Sequence, residues 1–384
     1  MKIAIIAGTF FPLRGGVQVE IHNLANKLVE EGNRVDVFVF KKIKLKNNLY
    51  NIIKLNYFYL SFLYSIKYFF NLDLNKIFHL FEFKFIDLNY EIYHFNFLNF
   101  KSLILIEYLK VFKKKILVTF HGVDIQINNK INYGFRINKK YNSYLLKTIK
   151  KIDAFQCISN HIYEDLLKLG IKKNKITKIS NSIYLKKFIQ KKMIKSSKEC
   201  LKLITVGRYA KYKKGFDLIP SLGKKLLDAK IKFTWKIIGE NSNFIYHDKF
   251  ILKNKKYFVA MPNIENNHEK YFPPKKLITQ YMNSHLYLNL ARIESFGLTF
   301  IESLASKTPI ISLGSTGINK MLKNYNIGFF LKNLNTIVMT LKKIQANPKS
   351  LYKLQKKTYL PIKQFNLDKN IKKVILMYIK NINN

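Results

Sequence analysis

The chain has 384 residues, more than twice the ~150 residues of an average domain, so two globular domains are expected. A hydrophobic content of 48% and an aromatic content of 15% exclude an intrinsically disordered protein, because enough apolar surface is present to offset the loss of chain entropy. No window of about eighteen apolar residues occurs, which argues against a spanning helix and a signal peptide. The two cysteines, Cys157 and Cys200, are too few for a disulfide framework or a zinc site, so we expect a cytoplasmic protein.

The formal charge of +45 would ordinarily suggest a nucleic acid or an anionic membrane as the partner. Only five of the 68 basic residues are arginine, which nucleic-acid-binding proteins use for bidentate contacts. Because the lysines are spread over the whole chain, we expect no nucleic-acid partner. The charge does predict attraction to anionic surfaces in general.

The first half of the chain alternates strand and helix patterns. Residues 2–8 and 34–40 are apolar strand patterns, and residues 17–31 between them have the three-and-four apolar spacing of a helix. A strand-helix-strand unit of this kind forms part of a parallel sheet. Further strands are predicted at 91–95, 116–120, 154–158 and 176–180, and a helix at 137–150.

A second strand-helix series begins at residue 201, after a lysine-rich segment that predicts an inter-domain linker at 186–200. Its strands are predicted at 201–206, 233–238, 257–260, 285–290 and 309–313, and its helices at 216–227, 275–282, 298–306, 335–345 and 370–382. The sequence therefore predicts an α/β protein of two doubly wound Rossmann-like domains facing a central cleft. The domains are residues 1–185 and 201–360, and residues 361–384 are predicted to pack back on the first domain.

The segment ESFGLTFIE at residues 294–302 follows a predicted strand and runs into a predicted helix. Gly297 lets the backbone approach a ligand, and the amides at the start of the helix, from Leu298 onward, form an anion site. Glu294 lies in the loop and Glu302 lies more than a turn into the helix, so they can reach different parts of one ligand. One can bind sugar hydroxyls and the other a ribose diol. The alternative is a solvated loop carboxylate beside an ordinary helix glutamate.

Arg208 ends the first strand of the second domain, and Lys214 stands just before the next helix. Both can converge on a diphosphate in the cleft. The alternative is a solvated lysine-rich loop, which fits at least two of Lys211, Lys213 and Lys214.

His121 follows a strand of the first domain, where its side chain would point into the cleft, and Asp124 is close enough to orient it or to bind a sugar hydroxyl. A structural histidine is the alternative. Gly16 opens a helix after the first strand and can bind a phosphate, although the preceding loop is not G-x-G-x-x-G. A dehydrogenase is disfavoured, while an NADP enzyme with Lys41 or Lys42 on the additional phosphate stays open.

The order of these motifs resembles the glycosyltransferase family 4 group, which are retaining enzymes of the GT-B fold that use nucleotide sugars. The resemblance covers nearly the whole chain. It rests on Gly15-Gly16, His121-Gly122 with Asp124, Ile158-Ser159, Ile179 to Asn181, Gly207-Arg208 with Lys214-Gly215, Gly239-Glu240, residues 294–302 and Pro309-Ile310-Ile311.

The resemblance implies transfer of a sugar from a nucleoside diphosphate, with retention, to a saccharide or lipid-linked acceptor in cell-surface polysaccharide, lipopolysaccharide or glycolipid synthesis. It also implies roles for single residues. These are Gly16, Arg208, Lys214, Gly297 and Leu298 on the donor diphosphate, Glu302 on the ribose, Glu294 on the donor sugar, and His121 with Asp124 beside the reacting centre.

Two positions depart from the family pattern. Asn181-Ser182 replaces a common Asn-Gly, and Asn319-Lys320 stands where an acid is often found. The second departure leaves open a catalytically degenerate nucleotide-sugar-binding protein, and the charge leaves open a basic polyanion-binding protein. No Asp-x-Asp sequence occurs, so we expect no metal and no cofactor. Fixed cations and helix-end amides would instead stabilise the departing diphosphate.

Residues 57–70 (YFYLSFLYSIKYFF) lie in a region, residues 47–89, that matches nothing in the family pattern. As a helix the segment is too short to span a bilayer. Two interpretations stay open: an ordinary core helix, or a helix whose aromatic side chains contact the interface of an anionic membrane. Lysines that would attract anionic lipid are Lys41, Lys42, Lys44, Lys46, Lys113, Lys114 and Lys115.

Overall fold

The computed structural model describes residues 1–383 except positions 13–14, 42, 71, 73, 75–77, 79–84, 189–199, 263, 265–268 and 315–318. The chain divides into two compact units. Unit 1 comprises Met1–Asn181 and Leu367–Asn384, and unit 2 comprises Ser182–Asn366. Most of the linker predicted at 186–200 lies outside the described residues.

Unit 1 contains a parallel sheet of seven strands in the order β3-β2-β1-β4-β5-β6-β7. These strands are β1 (Lys2–Ala7), β2 (Arg34–Val39), β3 (Asn51–Lys54), β4 (Ile92–Asn96), β5 (Ile116–Thr119), β6 (Ala154–Cys157) and β7 (Ile176–Lys178). The helices among them are α1 (Gly16–Glu30), α2 (Tyr57–Phe70), α3 (Phe100–Val111), α4 (Lys139–Thr148) and α5 (Asn160–Lys168). The central strands are apolar runs buried on both faces, as is typical of parallel sheets.

Unit 2 contains a parallel sheet of six strands in the order β10-β9-β8-β11-β12-β13. These strands are β8 (Leu201–Val206), β9 (Phe233–Ile238), β10 (Phe258–Met261), β11 (Leu286–Asn289), β12 (Ile310–Leu313) and β13 (Gly328–Leu331). The helices are α6 (Ile219–Asp228), α7 (Lys249–Lys253), α8 (Lys275–Met282), α9 (Leu298–Ala305), α10 (Asn319–Leu322), α11 (Leu334–Ala346) and α12 (Pro348–Lys357). Their core surrounds the fully buried Trp235.

A last helix, α13 (Leu367–Ile382), belongs to unit 1 although it follows unit 2 in the sequence. Near its start, Asp368 accepts a salt bridge of 2.8 Å from Lys27 of α1. Near its end, Tyr378 is fully buried, and its hydroxyl lies 2.6 Å from Nδ1 of His94 on β4. Helix α13 is therefore held against unit 1 at both ends.

The two sheets confirm the prediction of two doubly wound α/β domains, because each is parallel and reverses its strand order beside its first strand. The sequence patterns missed the edge strands β3 and β13. Strand β3 is short and mostly exposed, so burial imposes no apolar pattern on it. In the described part of the chain, no helix is long and apolar enough to cross a membrane.

Candidate functional site

Each sheet has a switch point, where two neighbouring strands lead into connections that run in opposite directions. In unit 1 it lies between β1 and β4, and in unit 2 between β8 and β11. Ligands of doubly wound sheets bind at the carboxyl ends of the strands at this point. The predicted residues follow or neighbour these ends: Gly16 after β1, His121 and Asp124 after β5, Arg208 and Lys214 after β8, and Glu294, Gly297, Leu298 and Glu302 after β11.

Asp124 organises the turn that carries His121. Its side chain is fully buried and accepts hydrogen bonds from the backbone amides of Leu98 (3.1 Å), His121 (3.0 Å) and Gly122 (2.8 Å). Burial raises the pKa of the Asp124 carboxyl to about 6, against the opposing effect of these amides. Asp124 therefore orients the backbone of His121, and its carboxylate makes no hydrogen bond to the imidazole.

The His121 imidazole is half-buried and contacts Asn96, the last residue of β4. The ring atom Nε2 lies 3.3 Å from Oδ1 of Asn96. An amide oxygen only accepts, so this contact is a hydrogen bond in the tautomer that carries its proton on Nε2 and a lone pair on Nδ1. Burial lowers the pKa of His121 to about 3, so the ring is neutral near pH 7. The geometry thus offers a neutral imidazole with an acceptor nitrogen.

Gly16 is the first residue of α1, after Gly15 in an extended conformation. No side chain caps this helix end among the described residues, and positions 13–14 of the preceding loop lie outside them. Backbone amides at a helix start carry partial positive charge. This position is consistent with the predicted contact to a phosphate.

In unit 2, the loop after β8 lies against the loop after β11. Gly215 has φ +70°, and a Cβ there would lie 2.0 Å from the carbonyl oxygen of Leu290, so only glycine allows this approach. The Arg292 guanidinium crosses between the loops and bonds both carboxylate oxygens of Asp217 at 2.7 Å. The close approach at Gly215 and the Arg292–Asp217 pair therefore hold the two loops together.

Arg208 and Lys214 are the two predicted diphosphate ligands in the loop after β8. The Arg208 side chain is exposed and makes no hydrogen bond or ion pair with any residue that the structure describes. The Lys214 ammonium is half-buried and forms a short ion pair with Oε2 of Glu294. The structure therefore brings Lys214 and Glu294 together, although they lie 80 positions apart.

Gly297 ends the loop and caps α9 with φ +95°. A Cβ at this position would lie 2.7 Å from the Phe300 ring and 3.1 Å from Cγ of Glu294, so glycine keeps Glu294 close to the helix start. Leu298 is the first residue of α9, and no side chain caps this end. Its amides thus lie beside the Lys214–Glu294 pair.

Glu302 lies inside α9 and is 6% exposed. Its Oε2 accepts a hydrogen bond of 3.0 Å from the hydroxyl of Tyr281 in α8. Burial raises the pKa of Glu302 to about 7, opposed by Tyr281 and by the charge of Lys187. Near pH 7, this carboxyl exists in both protonation states.

Four residues of the site escaped the sequence analysis: Asn96, Arg292, Asp217 and Tyr281. Asn96 is 1% exposed, and its Nδ2 has no hydrogen-bond partner within the described ranges. A single asparagine in an apolar strand gives no periodic signal. Arg292 could have been noticed as one of only five arginines, whereas its partner Asp217 and Tyr281 carry no signal of their own.

The positions that depart from the expected pattern are only partly described. The Asn319 amide donates to the carbonyl oxygen of Gly314 (2.6 Å) and to Ser312 Oγ (3.3 Å), while residues 315–318 lie outside the described residues. Across the described chain, no three His, Cys, Asp or Glu side chains are grouped to hold a metal ion.

Comparisons of the sequence with protein families give two consecutive matches. The family described as Glycosyltransferase Family 4 matches residues 14–187, and the family described as Glycosyl transferases group 1 matches residues 186–360. No curated protein sequence matches the chain.

Solved structures share the fold over almost the full length. Sucrose-phosphate synthase from Thermosynechococcus elongatus has a TM-score of 0.72 at 16% identity, covering 99% of this chain and 98% of that one. A glycosyltransferase from Rickettsia africae has a TM-score of 0.70 at 19% identity, covering 100% and 99%. Anabaena HepE, solved with UDP and glucose, has a TM-score of 0.71 at 11% identity, covering 98% of each chain.

Proposed function

This chain belongs to the family 4 type of GT-B glycosyltransferases, and we propose that it transfers a sugar, with retention, from a nucleoside-diphosphate sugar to a saccharide or lipid-linked acceptor. The reaction would serve cell-surface polysaccharide or glycolipid synthesis. A cytoplasmic location fits the two free cysteines, Cys157 and Cys200.

One observation carries the proposal: the loops at the switch point of unit 2 hold an exposed arginine with no partner among the described residues, a lysine paired with Glu294, and a helix start with no side-chain cap. These are Arg208, Lys214 and the first turn of α9. A diphosphate is the ligand that this combination of cations and backbone amides recognises. The UDP and glucose bound to Anabaena HepE make uridine nucleotides the first donors to test.

In the proposed reaction, negative charge develops on the diphosphate that Arg208, Lys214 and the α9 amides would bind. The bond between the sugar and the diphosphate breaks, and its electron pair moves to the phosphate oxygen. Arg208, Lys214 and the α9 amides stabilise that oxygen more strongly in the transition state than in the ground state. The acceptor hydroxyl attacks the same face of the sugar, so its proton can pass to the departing phosphate and no separate base is required.

The carboxylates would then orient the donor. Glu294 is paired with Lys214 through Oε2, which leaves Oε1 to accept from a sugar hydroxyl. Glu302 would accept from the ribose diol. In unit 1, Nδ1 of His121 would accept from a sugar hydroxyl, Asp124 would act as a positioning residue, and Gly16 would contact the diphosphate.

We propose that transfer needs no divalent metal, because fixed cations at Arg208 and Lys214 already supply charge to the diphosphate. The sequence has no Asp-x-Asp to bridge a metal to phosphate. Activity should persist in EDTA. Loss of activity in EDTA with recovery on adding manganese or magnesium would contradict the proposal.

The function is tested first by thermal unfolding in the presence of UDP-, GDP- and ADP-sugars, since a ligand that binds only the folded state raises the melting temperature. The Arg208→Ala variant is the negative control and should lose the shift. Product formation with the best donor is then followed by mass spectrometry.

The outcomes separate the three functions that the sequence left open. A shift with product formation supports the transferase. A shift without product for any acceptor supports a degenerate nucleotide-sugar-binding protein. No shift, combined with salt-dependent binding of nucleic acid, supports a polyanion-binding protein and overturns the proposal.

A further inference from the structure

Helix α2 has one buried and one exposed face, and both are apolar. Leu60 and Leu63 are fully buried within unit 1. The opposite face carries aromatic side chains at helical spacing, and a leucine follows the helix. The exposed side chains, with their exposed fractions, are Phe58 (75%), Tyr59 (45%), Phe62 (55%), Phe69 (70%), Phe70 (72%) and Leu72 (48%).

We call this set the aromatic face. The helix is a core element on the side of Leu60 and Leu63, while the aromatic face is exposed, so both interpretations of residues 57–70 bear on part of the helix. Single exposed apolar side chains are ordinary on a protein surface, whereas a contiguous group of large ones indicates an interaction surface. Within the helix, the only charged residue is Lys67.

Positive charges border the aromatic face. The Lys140 ammonium, on α4, donates to the carbonyl oxygen of Tyr68 (3.0 Å) and lies 4.2 Å from the centre of the Tyr68 ring. The Lys67 ammonium donates to the carbonyl oxygen of Leu72 (2.9 Å). Lys139, the neighbour of Lys140 in α4, is exposed as well. The described residues thus give an apolar centre with a cationic border.

We propose that the aromatic face of α2 docks on an anionic lipid bilayer, with the helix lying in the plane of the interface. Fourteen residues make a helix of roughly 21 Å, shorter than the ~30 Å hydrocarbon core, so the helix cannot span it. Aromatic side chains are suited to the bilayer interface. The lysines at the border pair with lipid phosphates.

Charge complementarity favours a membrane over a second copy of this chain as the occupant. Each copy has a formal charge of +45, so two copies repel, whereas an anionic bilayer attracts each one. Docking requires no donor or acceptor, so the proposal stands or falls independently of the proposed transferase activity.

The test is sedimentation of the full-length protein with phosphatidylcholine vesicles that contain 0 to 50% phosphatidylglycerol. Binding should grow with the anionic fraction and weaken as salt is raised. A triple variant, Phe58→Ser, Phe62→Ser and Phe69→Ser, should lower partitioning at least about tenfold. Its matched control carries Tyr359→Ser, Leu360→Ser and Leu376→Ser at exposed apolar positions elsewhere, and should bind like wild type.

Charge variants measure the contribution of the border lysines to membrane binding separately from that of the aromatic face. Lys139→Gln with Lys140→Gln should weaken binding to anionic vesicles, while Lys372→Gln with Lys373→Gln, which removes the same charge from exposed positions on α13, should do so less. Circular dichroism establishes that each variant is folded.

A fluorescent variant distinguishes insertion from adsorption. The chain has one tryptophan, Trp235, which is fully buried in unit 2. In Phe62→Trp, emission should shift to the blue on vesicle addition and be quenched by brominated lipid. Equal vesicle binding by wild type and the triple serine variant, or no quenching, would overturn the proposal. A wild-type dimer in light scattering that the triple variant abolishes, without vesicle binding, would identify a second copy as the occupant.

Discussion

The polar groups at the carboxyl ends of the two sheets differ in their burial and in whether their hydrogen bonds are already made within the protein. In unit 1, Asp124 is fully buried and bonded to backbone amides, and the His121 ring is neutral. In unit 2, Arg208 is exposed with no partner among the described residues, and Lys214 and Glu294 form a half-buried ion pair. A group whose hydrogen bonds are already made internally contributes to stability, whereas a group with free bonding capacity is available to a ligand. From this difference we expect that substitution of Asp124 costs stability, whereas substitution of Arg208 or Lys214 costs activity.

The strongest test of the comparison is Asp124→Ala. Three backbone amides lose their acceptor inside the protein, so the free energy of unfolding should fall by on the order of 3 kcal/mol. Urea denaturation followed by circular dichroism measures the change. Asp87→Ala, which removes an exposed ion pair with Lys2, is the control and should cost less than about 1 kcal/mol. A stable but inactive Asp124→Ala variant would instead make Asp124 a substrate-binding group.

Arg208→Ala and Lys214→Ala should show the opposite behaviour. Each should lower kcat/KM by about 100-fold, because a cation that stabilises the departing diphosphate is lost, while the melting temperature stays near that of wild type. Lys211→Ala, an exposed lysine in the same loop, is the matched control and should retain activity. Full activity in both single variants would remove the diphosphate assignment.

Within unit 2, Glu302 and Glu294 are expected to act on different parts of the donor. Glu302→Gln should weaken binding of the free nucleoside diphosphate by about tenfold, because the ribose diol loses a charged acceptor. Glu294→Gln should leave that binding nearly intact and lower the transfer rate, since both the sugar contact and the ion pair with Lys214 are lost. Calorimetry and initial rates measure the two effects. Wild-type nucleotide binding by both variants would contradict the ribose role of Glu302.

The same carboxyl should give donor binding a pH dependence. Because burial raises the pKa of Glu302 to about 7, lowering the pH through 7 protonates the carboxylate that would accept from the ribose. Affinity for a nucleotide sugar should therefore fall by about tenfold from pH 8 to pH 6. The Glu302→Gln variant should show a flat profile over this range. A wild-type profile that is equally flat would separate Glu302 from the nucleotide.

The fold and much of the site's location could be read from the sequence because both depend on local patterns. Strands such as β1 and β5 are apolar runs, and Arg208 and Glu294 follow such runs. The edge strand β13 was missed because its four residues are only partly buried. Pairings such as Lys214 with Glu294 were not predictable, since contacts between distant loops depend on strand order and on the close approach that Gly215 permits.

The return of α13 to unit 1 has a consequence for biosynthesis. On the ribosome, residues 1–181 emerge first but remain without α13 until all of unit 2 has been made. At roughly 5–20 residues per second, this delay lasts on the order of ten seconds or more. During this time, the His94 side chain lacks the Tyr378 hydroxyl, and Lys27 lacks Asp368. Unit 2 is continuous in the chain, so it can complete its fold before unit 1. Nascent chains stalled with unit 2 outside the ribosome and α13 still inside it should therefore show a protease-resistant second unit and a sensitive first one.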